Sequence, residues 1–499
     1  MPHSLPSRRD IDFLLFDWLG LGRRTDRETI AAFLDLSERL GADRVLPHYK
    51  LADSQGPFLD ASGQVHILPA IGEALRHYAE LGFFSAGFRE ELGGLGLPFV
   101  ACAASFAYFS AANIATSAYP MLTVANARLI ATFGNPAQID RFARPEIEGK
   151  WFGTMCLSEP QAGSSLADIR TRALPDGDDG SGPRFRLFGN KMWISGGDQD
   201  ASENIVHLVL AKIQNDDGSL PEGTAGISLF IVPKVLPDGS RNDIAVAGLN
   251  HKMGYRGTAN CLLNFGENGG AVGWLVGQAG DGLRQMFQMM NEARICVGLG
   301  AAALGYRGYR LSSRYARERL QGRLPGQRSG RQVAIIEHPD VRRMLLTQKA
   351  YAEGALALCL YCTDLVDQDD DLEKAALLGL LTPVAKTWPS EYGLAANDIA
   401  IQIHGGYGYT RDFDVEQLWR DNRLNPIHEG TTGIQAMDLL NRKILRDGSG
   451  MAVLGRMVED SCHRARAIVA LAPHAASLLE AWGRIGRTID TLRKVDQTR

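Results

Sequence analysis

The spacing of apolar residues changes twice along the chain, and that order constrains the fold more than any other feature. Between residues 1 and 152 the recurrence is helical. Ile30, Phe33, Leu34 and Leu40 mark one segment, and Ile71, Leu75, Tyr78 and Leu81 the next, with Gly82 where a helix C-cap belongs. Between 153 and 278 it becomes short strand-like runs at 185–187, 192–194, 205–210 and 227–232. There Gly189-Asn190 reads as a hairpin turn and 175–183 as a Gly/Asp-rich loop. From 279 to 445 the helical spacing returns, as in Leu283, Met286, Phe287 and Met290. In this part Thr382-Pro383 reads as an N-cap with an N1 proline, Pro389 as a kink or break, and Gly405-Gly406 as a helix end. Residues 446–499 read as a helical extension. Helices, then strands, then helices mean segregated domains rather than a doubly wound sheet. The expected class is mainly α with a central β domain, and 499 residues are too many for one core.

Charge narrows the function classes. Lys plus Arg is 53 and Asp plus Glu 57, so a basic nucleic-acid coat is not indicated. Seven scattered cysteines argue for a reducing compartment and against a disulfide framework. The polar first ten residues lack the apolar core of a signal peptide, so a cytoplasmic location is expected. Residues 92–127 carry no charge, but Pro98, Asn113 and Pro120 interrupt them. They read as a buried helix pair rather than a membrane span.

Several motifs have a plain structural reading when taken alone. Met155 to Ser165 brackets Glu159-Pro160 with small hydroxyl residues and glycine, and reads as a tight turn. Lys191 to Gly197 alternates an aromatic and a hydroxyl on one strand. Gly298-Leu299-Gly300-Ala301-Ala302-Ala303 fits a dinucleotide-binding pattern, yet it continues a helix and follows no strand, so it reads as close helix packing. Cys359 and Cys362 form a lone CxxC in a helical stretch with no second pair, and read as buried thiols.

The run Gln402-Ile403-His404-Gly405-Gly406-Tyr407-Gly408-Tyr409, then Arg420-Asp421, then His428-Glu429-Gly430-Thr431 and Gln435, is distinctive. It resembles the C-terminal signature of acyl-CoA dehydrogenases. Ser158 to Ser165, Lys191 to Ser195, Glu91 to Leu97, Arg294 and Tyr315 to Arg319 resemble further motifs of that family, in consistent order. Finer details resemble its large bacterial branch, which includes 3-(methylthio)propionyl-CoA dehydrogenase-like enzymes. Members of that branch carry a longer C-terminal helical domain than residues 446–499.

The resemblance implies an N-terminal helical domain, a middle β-barrel or sandwich domain and a C-terminal four-helix bundle. It implies FAD as cofactor and α,β-dehydrogenation of an acyl-CoA to 2-enoyl-CoA, with flavin N5 accepting the hydride. Glu429 maps to the α-proton base. Met155, Leu157, Ser158, Trp193 and Ser195 map to the flavin ring, and Arg319, Gln402, Gly406 and Thr431 to its adenosine and pyrophosphate. Ser164, Asn291, Arg294 and Gly430 map to substrate contacts. Electron-transferring flavoprotein is the implied acceptor, and a homo-oligomer, dimer or tetramer, is implied because some flavin contacts come from a neighbouring subunit.

Departures from the family pattern include Ser165 for Asp, His428 for Tyr and Gly433 for Gln. Glu292 is a rival base one residue off the position used by some relatives. Two other functions fit the same resemblance: an acyl-CoA oxidase, and an alkylation-response-type flavoprotein that binds DNA through the arginines of the C-terminal segment.

Overall fold

A computed structural model describes residues 4–496 apart from 325, 328 and 369. Helices fill both ends and a curled sheet lies between them. The expected helices form at Arg27–Leu40 and Pro69–Glu80, and Gly82 turns the chain at φ +76°. A small hairpin of β1 (Phe58–Leu59) and β2 (Val65–His66) interrupts this helical part, which the apolar spacing did not reveal. The uncharged stretch forms α1, Phe99–Phe133, bent at Asn113. There Asn113 leaves helical backbone geometry, and its Oδ1 accepts from the Ala115 and Thr116 N–H groups, capping the second half. This helix is long and apolar enough to cross a membrane, but most of it is buried inside the fold.

The sheet comprises β3 (Trp151–Cys156), β4 (Arg172–Asp178), β5 (Pro183–Ser195), β6 (Asn204–Ile213), β7 (Ile227–Pro233), β8 (Ile244–Leu249), β9 (Asn260–Phe265) and β10 (Ala271–Leu275). Its order is β10-β7-β6-β4-β5-β9-β8, with β3 pairing parallel to β6 off this path, and a β10–β5 pairing closes part of it into a barrel. The expected hairpin at Gly189-Asn190 is not there. Both residues lie inside β5, which pairs with β4 and β10 up to Phe188 and with β9 from Gly189 onward. Gly189, at φ +154°, is where the strand passes between partners. A Cβ on it would lie 2.5 Å from Thr171 Oγ1. The 175–183 loop is also shorter than expected, because β4 runs to Asp178.

The last part contains α2 (Gly282–Glu318), α3 (Pro339–Val366) and α4 (Leu372–His404). Gly298 lies inside α2, where a Cβ would fall 1.9 Å from the Ala385 carbonyl oxygen of α4. The glycine pattern therefore serves helix contact. Cys359 and Cys362 are buried in α3, and no metal-holding cluster exists among the described residues. One expectation for α4 fails: Thr382 does not cap its start, because the helix begins ten residues earlier with Asp371 as N-cap. Pro389 lies inside the helix without breaking it. Thr382 Oγ1 instead donates to the Leu378 carbonyl. Pro389 leaves the Ala385 carbonyl without its helical N–H donor. That oxygen faces Gly298 and accepts from Cys359 Sγ at 3.7 Å. Tertiary contacts thus replace the lost bond.

Candidate active site

One wall comes from the sheet. After β3 the chain turns through Leu157 and Ser158, and β5 clamps this turn. Met192 N–H donates to the Ser158 carbonyl at 3.0 Å, and Lys191 Nζ donates to the Leu157 carbonyl at 3.0 Å. Lys191 is buried and pairs with Glu159 at 3.0 Å. Burial alone would raise the Glu159 carboxyl. The Lys191 charge, the Thr171 hydroxyl and the N–H groups of Arg170 and Thr171 outweigh it and hold the carboxyl at about 2.

At the β5–β9 register shift between Lys191 and Ile194, Trp193 adopts φ +67° and leaves its ring 59% exposed. A large exposed aromatic held in left-handed backbone is a costly arrangement, of the kind that clusters at functional sites. Ser195 accepts from Asn260 Nδ2 at 3.1 Å. Leu157, Ser158, Trp193 and Ser195 therefore belong to one bonded unit. Met155 differs, since its side chain packs inside the core beside Val206 and Leu208. Ser164 is exposed on the following loop.

A second element of the candidate site is the turn from Asn422 to Gly430, after the helix Val415–Asn422. Glu429 stands at φ +52° and Gly430 at φ +86°. Gln435 Nε2 donates to the Glu429 carbonyl at 3.0 Å, and Thr431 caps the helix Thr432–Met437. The Glu429 side chain is half-buried. Burial pushes its carboxyl above the ordinary range, against the pull of Arg294 and Lys386. Arg294, buried on α2, lies 3.3 Å from Asp438 and 3.4 Å from Asn291 Oδ1, while its Nε has no partner among the described residues. Glu292 is paired with Arg128 of α1. Two residues along a helix turn about 200°, so it leaves α2 on the side away from Arg294.

A loop of the β domain and the N-terminal helical part both hold the segment that leads to Glu429. Tyr255, at φ +51°, donates its N–H to Asp421 Oδ1 at 2.7 Å and its hydroxyl to Asn425 Oδ1 at 2.9 Å. Arg420 clasps Asp53 with two 2.7 Å bonds. Burial raises the Asp421 carboxyl to about 6, with the Tyr255 N–H opposing. These residues, and Lys386, were not singled out from the sequence as site residues. Lys386 carried a usable signal, because it is the one charge between Lys374 and Glu391 in an otherwise uncharged helical stretch.

A second group lies elsewhere. The Arg319 guanidinium sits 5.8 Å from the Tyr407 ring centroid, and Tyr315 stacks on His404 at 4.3 Å. Arg319, Gln402 and Gly406 are exposed there. Gln402 is sixteen residues beyond Lys386 on α4, so the two groups are separated by about 24 Å along the helix. Thr431 is not with this group; it adjoins Glu429.

Sequence profiles of the acyl-CoA dehydrogenase N-terminal, middle and C-terminal domains match residues 32–150, 154–267 and 280–444. The chain is 37% identical to 3-methylmercaptopropionyl-CoA dehydrogenase of Ruegeria pomeroyi over 432 residues, covering 84% of this chain and 71% of that one. It is 35% identical to the broad-specificity linear acyl-CoA dehydrogenase FadE5 of Mycobacterium tuberculosis over 489 residues, covering 92% and 78%. Among solved structures, Caenorhabditis elegans ACDH-11 in complex with C11-CoA superposes with a TM-score of 0.81 at 21% identity, covering 100% of this chain and 81% of that one.

Proposed function

The chain belongs to the acyl-CoA dehydrogenase family, FAD-dependent oxidoreductases that act on CH–CH bonds, and on that premise we propose that it converts a linear acyl-CoA to the 2-enoyl-CoA with Glu429 as base. The observation that carries this reading is the state of Glu429. It is a carboxylate in strained backbone, raised by burial and flanked by two buried cations. A raised carboxyl is a better proton acceptor at neutral pH, provided it stays ionised. Burial supplies the first property, and Arg294 and Lys386 supply the second.

In this reading a Glu429 carboxylate oxygen takes the α-proton, and the Glu429 backbone N–H donates to the thioester oxygen, where negative charge develops. Gly430 leaves that approach open, because it has no Cβ. FAD, when bound, supplies the hydride acceptor. The clamped Leu157–Ser158 turn, the exposed Trp193 ring and the Ser195 hydroxyl fit a planar ring with polar edges. Asn291, Arg294, Ser164 and Gly430 would orient the substrate. Gln402, about 24 Å beyond Lys386 along α4, and the exposed Arg319 and Gly406 suit the distal end of a cofactor bound in another copy, which favours a homo-oligomer.

The substrate class rests on the names of the two relatives. The C-terminal arginines give little support to a DNA-binding reading, because Arg456 pairs with Glu373 and Arg484 with Glu480. We also propose electron-transferring flavoprotein as the acceptor. Steady-state assays with this acceptor, and with oxygen alone, test that choice. The expected result is enoyl-CoA formation that needs the flavoprotein; equal rates in oxygen alone would reassign the enzyme as an oxidase.

A further inference from the structure

Lys386 enters the reading above only through its charge, yet it is also fully buried where α4 presses on α2. A Cβ on Gly298 would lie 3.3 Å from the Lys386 Cα. Its Nζ donates to the Asn425 backbone carbonyl at 2.7 Å. Asn425 is the hub of the turn that presents Glu429. Its Oδ1 faces the Tyr255 hydroxyl at 2.9 Å and His428 Nε2 at 3.0 Å, and its Nδ2 donates to Asn422 Oδ1 at 2.9 Å. Asn422 in turn donates to the Ala301 carbonyl of α2 and to Asn397 of α4. Both helices are thereby tied to the four residues before the base.

We propose that Lys386 is a positioning residue for the base: its ammonium anchors the Asn425 carbonyl and its charge keeps the neighbouring Glu429 carboxylate ionised. The inference rests on Glu429 being the base. Three other charged or titratable groups act beside it. They are Arg294 from α2, Glu391 from α4, and His428 from the turn itself. Burial lowers Lys386 to about 8, with Glu429 and Glu391 opposing and Arg294 reinforcing. Burial, and then the Lys386 charge, lower His428 to about 3, so His428 is neutral at physiological pH. A buried ammonium is costly unless paired and hydrogen-bonded. Here its partners are a carbonyl and the field of a carboxylate, so the charge is retained at the site where it acts on the base.

Substitution with Met removes both the bond and the charge, Gln removes the charge and leaves a shorter neutral donor, and Arg keeps the charge. The sign follows from Lys386 pulling the Glu429 carboxyl down. Without the charge the carboxyl titrates higher, and the acid limb of kcat/KM moves to higher pH. One unit of movement is a tenfold loss on that limb. Lys386→Met and Lys386→Gln should therefore lose about tenfold or more at low pH and recover part of it as pH rises, whereas Lys386→Arg should leave the limb in place. Infrared titration of the Glu429 carboxyl band, identified by its absence in Glu429→Gln, should show the same shift without turnover. Should Lys386→Met not fold, the comparison of Gln with Arg carries the test. An acid limb and carboxyl band that stay in place in Gln would overturn the proposal, as would an equal loss at every pH. If Glu429→Gln turned over at the parent rate, the base assignment itself would fail, whatever Lys386 does.

Discussion

Glu429→Gln is expected to retain FAD and the parent melting behaviour while turnover falls by about 10²–10⁴-fold, the span that a positioned general base contributes. The substitution keeps side-chain volume and the Glu429 carbonyl that Gln435 holds at 3.0 Å. It replaces one carboxylate oxygen by an amide nitrogen, and so removes the proton acceptor together with its negative charge. The parent should show an acid limb in kcat/KM above the ordinary carboxylate range, because burial raises Glu429 more than Arg294 and Lys386 lower it. That limb should vanish from the residual rate of the variant. Stopped-flow reduction separates this loss from substrate binding, which should change little. Glu292 is an unsuitable substitute, since it is paired with Arg128. A variant that dehydrogenates at the parent rate would remove Glu429 from the mechanism.

The second large effect concerns the fold that carries the site. Gly298→Ala should destabilise strongly and also lower activity. The new Cβ would lie 1.9 Å from the Ala385 carbonyl oxygen and 2.9 Å from its carbon, both backbone atoms of α4. No rotamer change can relieve that contact, so the helices must separate. Overpacking of this kind costs about 1–3 kcal/mol, and sometimes more. The displaced segments carry Arg294 on one side and Lys386 on the other, so the base would lose its flanking cations together. Gly300→Ala is the internal control. There the Cβ would meet only the Ile114 Cδ1 atom at 3.0 Å, the far end of a flexible side chain. Thermal melts should rank parent, Gly300→Ala and Gly298→Ala in falling order. A Gly298→Ala protein that melts with the parent would mean that the glycine is not there for helix contact.

The helix–strand–helix order was legible because apolar period is a local signal. The errors arose where tertiary partners override local chemistry. Gly189-Asn190 has hairpin composition, but Thr171 leaves no room for a side chain there, and β9 extends the strand beyond it. Thr382-Pro383 has the composition of a helix start, yet α4 runs through both prolines, and at Pro389 contacts from α3 and α2 replace the lost bond. The Gly298 pattern lies in the interior of a helical stretch and not directly after a strand, which is why its spacing marks helix contact. Within the site, the signature placed Glu429, Gly430 and Thr431 in one turn because they are consecutive. Lys386 and Tyr255 come from two separate segments, and only the fold brings them to Asn425 of that turn.

The central claim is that an acyl-CoA hands two hydrogens to this protein at the Glu429 site. An anaerobic visible titration of the purified, FAD-loaded protein with acyl-CoAs of graded chain length tests it most directly. Bleaching of the flavin band by one chain-length class, with the corresponding 2-enoyl-CoA recovered, is the predicted result. A flavin band that no acyl-CoA alters would contradict the account.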